Sequence, residues 1–159
     1  MYRHVTGISE AAVARVVQFK IKIGSSVVKA VEEAAAAAGV RHGMVIGFTG
    51  ALQSAVFRNL KYLPARYPVT PDNHLMSECE GPMEITSLTG WIFREGDRQL
   101  IHLHASAARE ADGRLVVYGG HLVDAVAGAK LVVCMFEIAG GTSELGFDAG
   151  QSESTDLMI

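Results

Sequence analysis

The sequence predicts an α+β protein, a single domain with a largely antiparallel β-sheet flanked by helices. One helical stripe follows a first alternating strand, and the later apolar segments are short and joined by turns that contain Gly, Pro or Asp. The 159 residues suffice for one domain with a core and are too few for two. This order of elements, a helix early and then mostly strands, argues against a doubly wound sheet.

A strand and a helix are predicted at the start of the domain. Residues 1–12 are interpreted as an N-terminal arm, and clean alternation of apolar and polar residues over 17–23 predicts a strand. The segment 24–26, Gly-Ser-Ser, ends that strand and offers a hydroxyl that can cap a helix. The apolar stripe of this helix runs over 27–38, and Gly39 suits the position after a helix end.

Strands are predicted over most of the remaining chain. An irregular loop is expected over 64–73 because it contains three prolines. The domain therefore covers 13–139, and the polar, acidic segment 140–159 is predicted to be a flexible C-terminal tail. The predicted strands cover 40–48, 50–63, 84–93, the histidine-containing hairpin described next, and 122–138 with a break at Gly128.

A predicted hairpin brings three histidines together. His102 and His104 are two residues apart, so their imidazoles leave the same face of a strand. Asp112-Gly113 is typical of a two-residue type I′ turn, in which both positions need a positive φ. If these are the loop residues, the numbers of each facing pair sum to 225, and His104 lies directly opposite His121.

Such a cluster is typical of a metal site. Three neutral imidazoles with an open fourth position are the usual ligands of a catalytic zinc ion. We therefore expect His102, His104 and His121 to bind a divalent metal, zinc in the first place, while imidazole also suits copper, iron and nickel. The alternative is three unrelated histidines that are satisfied by core hydrogen bonds or by solvent.

Other polar residues are weaker candidates. Glu84, before the hairpin, could act as a general base, as a fourth ligand or as a partner that orients an imidazole; otherwise it is a half-exposed strand carboxylate. Arg114 and Arg109 could bind a substrate carboxylate through their planar guanidinium groups, or simply be surface charges. Ser106 has no apparent activating base, and His74 ends a loop where a histidine is usually solvated.

Composition restricts the classes of partner. The chain carries 14 basic and 17 acidic residues and a net charge of −3, which argues against non-specific nucleic-acid binding. Cys79 and Cys134 match no redox or metal spacing and favour a reduced cytoplasm. The first residues lack the apolar core of a signal peptide, and no apolar run approaches the roughly 20 residues of a membrane span. We therefore expect a cytoplasmic protein without a membrane partner.

An ordered set of motifs resembles the "plants and prokaryotes conserved" (PPC) domain, also called DUF296. The motifs are Gly50-Ala51-Leu52, residues 81–90 (GPMEITSLTG), His102-Leu103-His104, Asp112-Gly113-Arg114 and Gly119-Gly120-His121-Leu122. The resemblance implies an α+β homotrimer, and the histidine motifs are similar to a zinc-binding arrangement of prokaryotic members. The fold also resembles that of acetolactate decarboxylase, which uses a three-histidine zinc site.

The same resemblance leaves a second function open. Plant members accompany AT-hook motifs, and many bacterial members carry a DNA-binding label for that reason. This sequence lacks the Arg-Gly-Arg-Pro core of an AT-hook, and the plant G-R-F-E-I motif is replaced by Gly-Pro-Met-Glu-Ile over 81–85. Three hypotheses follow: a zinc protein that binds or transforms a small carboxylate or carbonyl compound, as a lyase or hydrolase if it is an enzyme; a DNA-associated regulator; and a trimer in which the metal is structural.

Overall fold

The computed structural model describes residues 10–65, 69–95 and 98–139, most of which lie in seven β-strands. The predicted arm falls outside the described residues except for 10–12, and the predicted tail over 140–159 falls wholly outside them. A short 3₁₀ turn at Pro71–Asn73 precedes the longest strand. The elements are β1 Ala12–Ile21, α1 Val27–Ala38, β2 Gly43–Thr49, β3 Ala51–Leu60, β4 His74–Glu95, β5 Arg98–Ala111, β6 Arg114–Ala127 and β7 Leu131–Ala139.

The predicted antiparallel sheet is confirmed, whereas the prediction of more than one flanking helix was wrong. Among the described residues, α1 is the one α-helix. Every pairing between the strands is antiparallel, and together they form a single small domain. Beyond α1 the apolar residues follow the two-residue period of strands, so no second helical stripe is available to cover the sheet. No helix within these described ranges has the length and apolar character needed to cross a bilayer.

The 22-residue strand β4 organises the sheet. The strand order is β1-β7-β2-β4-β3-β6-β5, and β4 pairs in addition with β5. The first half of β4 pairs with β3, and its second half lies between β2 and β5. Because β6 pairs with both β3 and β5, strands β3, β4, β5 and β6 form a closed ring of hydrogen-bonded neighbours.

The single helix begins and ends where the sequence predicts. The Ser26 hydroxyl accepts a hydrogen bond from the Lys29 amide at 3.1 Å, and it also bonds the Asp124 carboxylate on β6 at 2.8 Å. Gly39 adopts the left-handed conformation with φ 67°, as expected after a helix end. The apolar stripe of α1 packs against β1, β5 and β6, with Val27 and Val31 fully buried.

The hairpin of β5 and β6 has the predicted register. Asp112 and Gly113 have φ values of 51° and 73°, as a type I′ turn requires. Pairing runs without a bulge from Ala111 and Arg114 at the turn to His104 and His121. The two histidines therefore lie directly opposite each other.

Side-chain alternation along β5 decides where the histidines point. Leu103, Ala105 and Ala107 are buried in the core. His102 and His104 alternate with them, so their imidazoles leave the other side of the sheet. We call this side the outer face.

Candidate metal centre

Three imidazole rings meet on the outer face of the β5–β6 hairpin. The ring centroid of His102 lies 5.1 Å from that of His104 and 4.6 Å from that of His121, and the remaining pair is 5.6 Å apart. The Nε2 atoms of His102 and His104 are 3.1 Å apart. One ligand atom from each ring can be chosen so that all three lie within 4.8 Å of one another.

These distances suit a tetrahedral ion. Zn–N bonds of about 2.0–2.1 Å at tetrahedral angles place two ligand nitrogens about 3.3 Å apart. The 3.1 Å separation between His102 and His104 is already close to that value. Two Nε2 atoms can also share one proton, but that pairing leaves the convergence of His121 unexplained. The cluster can therefore hold a metal ion after a small inward movement of the rings.

Burial and nearby positive charges disfavour protonation of the three rings. Burial and then the neighbouring Arg58 charge lower the pKa of His121 to about 4. Burial, followed by the charges of His104 and Arg58, lowers the pKa of His102 below 6.5. Partial burial also lowers that of His104, the most exposed of the three. Because only the neutral imidazole binds a metal, these shifts reduce competition from protons.

One ring nitrogen is left without a protein partner. The Nδ1 atom of His121 is buried and makes no hydrogen bond within the described part of the chain. An unsatisfied buried polar atom costs about 1–3 kcal/mol. Such an atom on one ring of a histidine cluster fits a site that is completed by an ion or a ligand.

The rings form one side of a pocket of about 200 Å³ on the outer face. We call it the histidine pocket. Arg58 lies directly opposite His121 on β3, and His74 pairs with Leu60 at the start of β4. All four strands of the closed ring thus contribute side chains. The lining residues are Arg58, Asn59, Leu60, His74, His102, His104 and His121.

The two glycines before His121 allow β3 to approach β6. Gly120 has a φ of 140°, and a Cβ there would lie 1.9 Å from the Oδ1 of Asn59. The Asn59 amide donates a hydrogen bond to the Gly119 carbonyl oxygen at 3.0 Å. The Gly-Gly pair therefore serves close packing beside the site.

The other sequence candidates lie elsewhere. Glu84 is exposed and pairs with Ala51 and Ala108, and it lines a different hollow together with Arg109. Ala108 is four positions along β5 from His104, about 13 Å along a strand. Arg114 is exposed at the hairpin turn. The roles of Glu84 and Arg114 remain predictions, and this chain does not bring either side chain to the three histidines.

Two further sequence candidates, Arg109 and Ser106, make hydrogen bonds that do not indicate a reactive group. Arg109 donates a hydrogen bond to the Glu80 carbonyl oxygen on β4. The Ser106 hydroxyl bonds the hydroxyls of Thr86, at 2.6 Å, and Ser87, at 3.0 Å, and neither of these is a base. Within the described ranges Ser106 therefore has no activating partner, in keeping with the sequence.

Two residues of the histidine pocket, Arg58 and His74, were not predicted from the sequence to belong to the site. Arg58 lies in a predicted strand and carries no motif that indicates a site, and His74 was expected to be solvated. Both reach the pocket through pairings of β3, with β6 in one case and with β4 in the other. No local motif signals these pairings, because each joins residues that are distant in sequence.

Fold and site define the class of protein: a small antiparallel β domain with a three-histidine candidate metal centre on one face of its sheet. The family model of the Plants and Prokaryotes Conserved (PCC) domain matches residues 8–139. The chain belongs to this family, which is the one that its motifs resemble.

Solved structures share the fold. A metal-containing protein from Archaeoglobus fulgidus is 24% identical with a TM-score of 0.68, over 85% of this chain and 87% of that one. A plant- and prokaryote-conserved protein from Pyrococcus horikoshii is 21% identical with a TM-score of 0.66, over 86% of each chain. A protein from Bacteroides thetaiotaomicron, named as a candidate DNA-binding protein, is 21% identical with a TM-score of 0.63, over 80% of this chain and 82% of that one.

These likenesses establish the fold and leave the function open. A comparison with curated proteins finds no match. Function must therefore be argued from the chemistry of the histidine pocket.

Proposed function

We propose that this protein binds a divalent metal, most simply zinc, through His102, His104 and His121, and uses it to bind or transform a small carboxylate or carbonyl compound. The convergence of three ligand atoms within 4.8 Å carries the proposal. The lowered pKa of each ring supports it, because the ligands are neutral without help from the metal. The metal-containing protein from Archaeoglobus fulgidus has the same fold and is consistent with it.

The chemistry would follow from an open fourth position. A zinc ion held by three imidazoles lowers the pKa of a bound water and polarises a carbonyl oxygen, which suits a lyase or a hydrolase. The protein holds the rings in place through the β5–β6 register. A pocket of about 200 Å³ favours a small ligand over a polymer. If no compound is bound or transformed, the metal is a structural link between β5 and β6.

We also propose that the protein is a homotrimer. The family resemblance motivates this assembly, and exposed apolar side chains support burial against another copy. Val16 on β1 and Val117 on β6 are exposed, and Leu115 on β6 is 76% exposed. These side chains belong to the sheet surface and not to the core.

Metal analysis of the purified protein tests the proposed centre. We expect about one zinc ion per chain, and loss of nearly all of it when His104→Gln and His121→Gln are combined, because a single imidazole binds weakly. His42→Gln is the matched control, since His42 does not line the pocket. Unchanged zinc stoichiometry in the double variant would contradict the proposal.

A DNA-associated regulatory role is the second candidate. The name of the similar protein from Bacteroides thetaiotaomicron favours it, whereas the charge of this chain opposes it. Three copies at −3 each give a trimer of −9. Duplex binders neutralise several phosphates with basic side chains and release counterions as they do so.

Titration with duplex DNA at several salt concentrations separates the two functions. We expect no sub-micromolar binding at physiological salt, because the chain lacks the necessary excess of basic residues. Tight binding that is lost on removing lysines or arginines, and is indifferent to chelators, would establish the regulatory role instead.

A further inference from the structure

The histidine pocket contains a permanent positive charge. Arg58 lines it, and a guanidinium keeps its proton at every physiological pH. No aspartate or glutamate is among the described residues that line the pocket. Neutral imidazoles would leave the charge of a divalent metal uncompensated, and the metal would lie beside the guanidinium of Arg58, which also has a further interaction of its own. Such a pocket attracts an anion.

Arg58 is close enough to act together with the metal centre. It lies directly opposite His121 in the pairing of β3 with β6, where facing Cβ atoms are about 4.5–5.5 Å apart. Its charge lowers the pKa of both His102 and His121, so its field reaches the ring nitrogens. Arg58 is only partly exposed, and this burial lowers the pKa of its guanidinium. A charge-assisted hydrogen bond is stronger there than at an exposed position.

We propose that Arg58 is the anion-binding residue of this pocket, and that the ligand is a small carboxylate with a second oxygen donor, such as a 2-hydroxy or 2-oxo acid. This inference rests on the proposed metal centre. The guanidinium fork matches a carboxylate, and the hydroxyl or carbonyl oxygen of the same molecule would reach the open position of the metal.

The size of the pocket limits the ligand. A volume of about 200 Å³ corresponds to roughly six or seven water molecules at about 30 Å³ each. A two- to four-carbon acid fits that space. We therefore expect the site to favour small anions.

The test uses the full-length protein loaded with cobalt, whose visible absorption responds to the ligand at the open position. Glycolate and glycolamide are the probes, because they have nearly the same shape and differ in charge. We expect glycolate to shift the spectrum and to bind at least about tenfold more tightly than glycolamide, the factor that about 1.4 kcal/mol supplies. Inorganic phosphate at the same concentrations distinguishes a carboxylate site from a phosphate site.

Three variants test whether Arg58 is responsible for the preference for glycolate over glycolamide. Arg58→Gln should retain cobalt and lose the tenfold preference for glycolate. Arg58→Lys keeps the charge without the fork and should retain part of it. Arg41→Gln is the matched control, since it removes an exposed arginine that does not line the pocket, and it should behave as the unmodified protein does.

Each outcome has a definite meaning. Cobalt binding with equal affinity for the two probes, or with an unchanged preference in Arg58→Gln, overturns the role of Arg58 and leaves the metal centre standing. Tighter binding of phosphate than of glycolate overturns the carboxylate assignment. A protein that binds neither cobalt nor zinc overturns the metal centre and this inference together. The comparison of probes on the unmodified protein holds even if a variant fails to fold.

Discussion

The imidazole of His121 lies between Arg58 on β3 and the histidine pair on β5. Its pKa of about 4 reflects burial first and the Arg58 charge second. A ring that resists protonation is a ready metal ligand at neutral pH. The same burial makes the metal-free protein sensitive to acid, because protonating this ring in the folded state is costly.

The stability of the metal-free protein should therefore fall as the pH drops from about 6.5 to about 4. In this window the unfolded chain protonates His121, with an ordinary pKa near 6.5, whereas the folded chain does not, so the free energy of unfolding decreases. His121→Gln should reduce the slope of stability against pH by up to about one proton. Urea unfolding at several pH values in the presence of a chelator measures it.

His42→Gln provides the comparison for that experiment, since it removes a histidine that does not line the pocket. It should leave the slope between pH 6.5 and 4 close to that of the unmodified protein. An identical slope in His121→Gln and the unmodified protein would show that His121 titrates normally in the folded state.

The residues of the site were predictable from the sequence in part. His102, His104 and His121 follow from a two-residue spacing and one short turn, and both are local signals. Arg58 is 63 positions before His121, and only the pairing of β3 with β6 brings them together. That pairing also contains register shifts, so simple counting along the strands cannot recover it.

At the scale of elements, short connections explain which predictions are confirmed. The type I′ turn fixes the β5–β6 register, and the break near Gly128 does separate two strands. β4 was harder, since the sequence indicated a strand only over 84–93. Gly81 and Pro82 resemble a strand end, yet the strand runs from His74 to Glu95 and pairs with β3 through its first half.

Gly120→Ala should disturb both β6 and the metal centre. Alanine is strained at a φ of 140°, and its Cβ would meet the Asn59 side chain. We expect a loss of about 2 kcal/mol or more in the free energy of unfolding, together with weaker zinc binding because His121 is the next residue. Urea unfolding and zinc competition with a chromophoric chelator measure the two effects.

The matched change is Gly113→Ala at the hairpin turn. Gly113 also has a positive φ, but a Cβ there would have nothing within 4 Å. It should cost about 1–2 kcal/mol from backbone strain and leave zinc affinity unchanged. If both variants bound zinc as the unmodified protein does, the approach of β3 to Gly120 would be unimportant for the centre.

For the whole molecule, we expect a homotrimer. Its mass in light scattering at micromolar concentration should be about three times the 16.9 kDa of the chain. The exposed apolar residues of β1 and β6 would be buried on assembly, and this burial supplies the driving force. A monomeric mass at that concentration would contradict the assembly, and a dimeric mass would contradict the threefold arrangement.

The separation of core and site on opposite faces of β5 has an evolutionary consequence. Leu103 and Ala105 maintain the core, while His102 and His104 interleave with them without sharing their surroundings. Because side chains on the two faces of a strand point in opposite directions, a substitution on the outer face spares the core contacts of Leu103 and Ala105. Proteins descended from a common ancestor can therefore come to bind a different small compound through substitutions on the outer face alone, while the core packing beneath it stays the same.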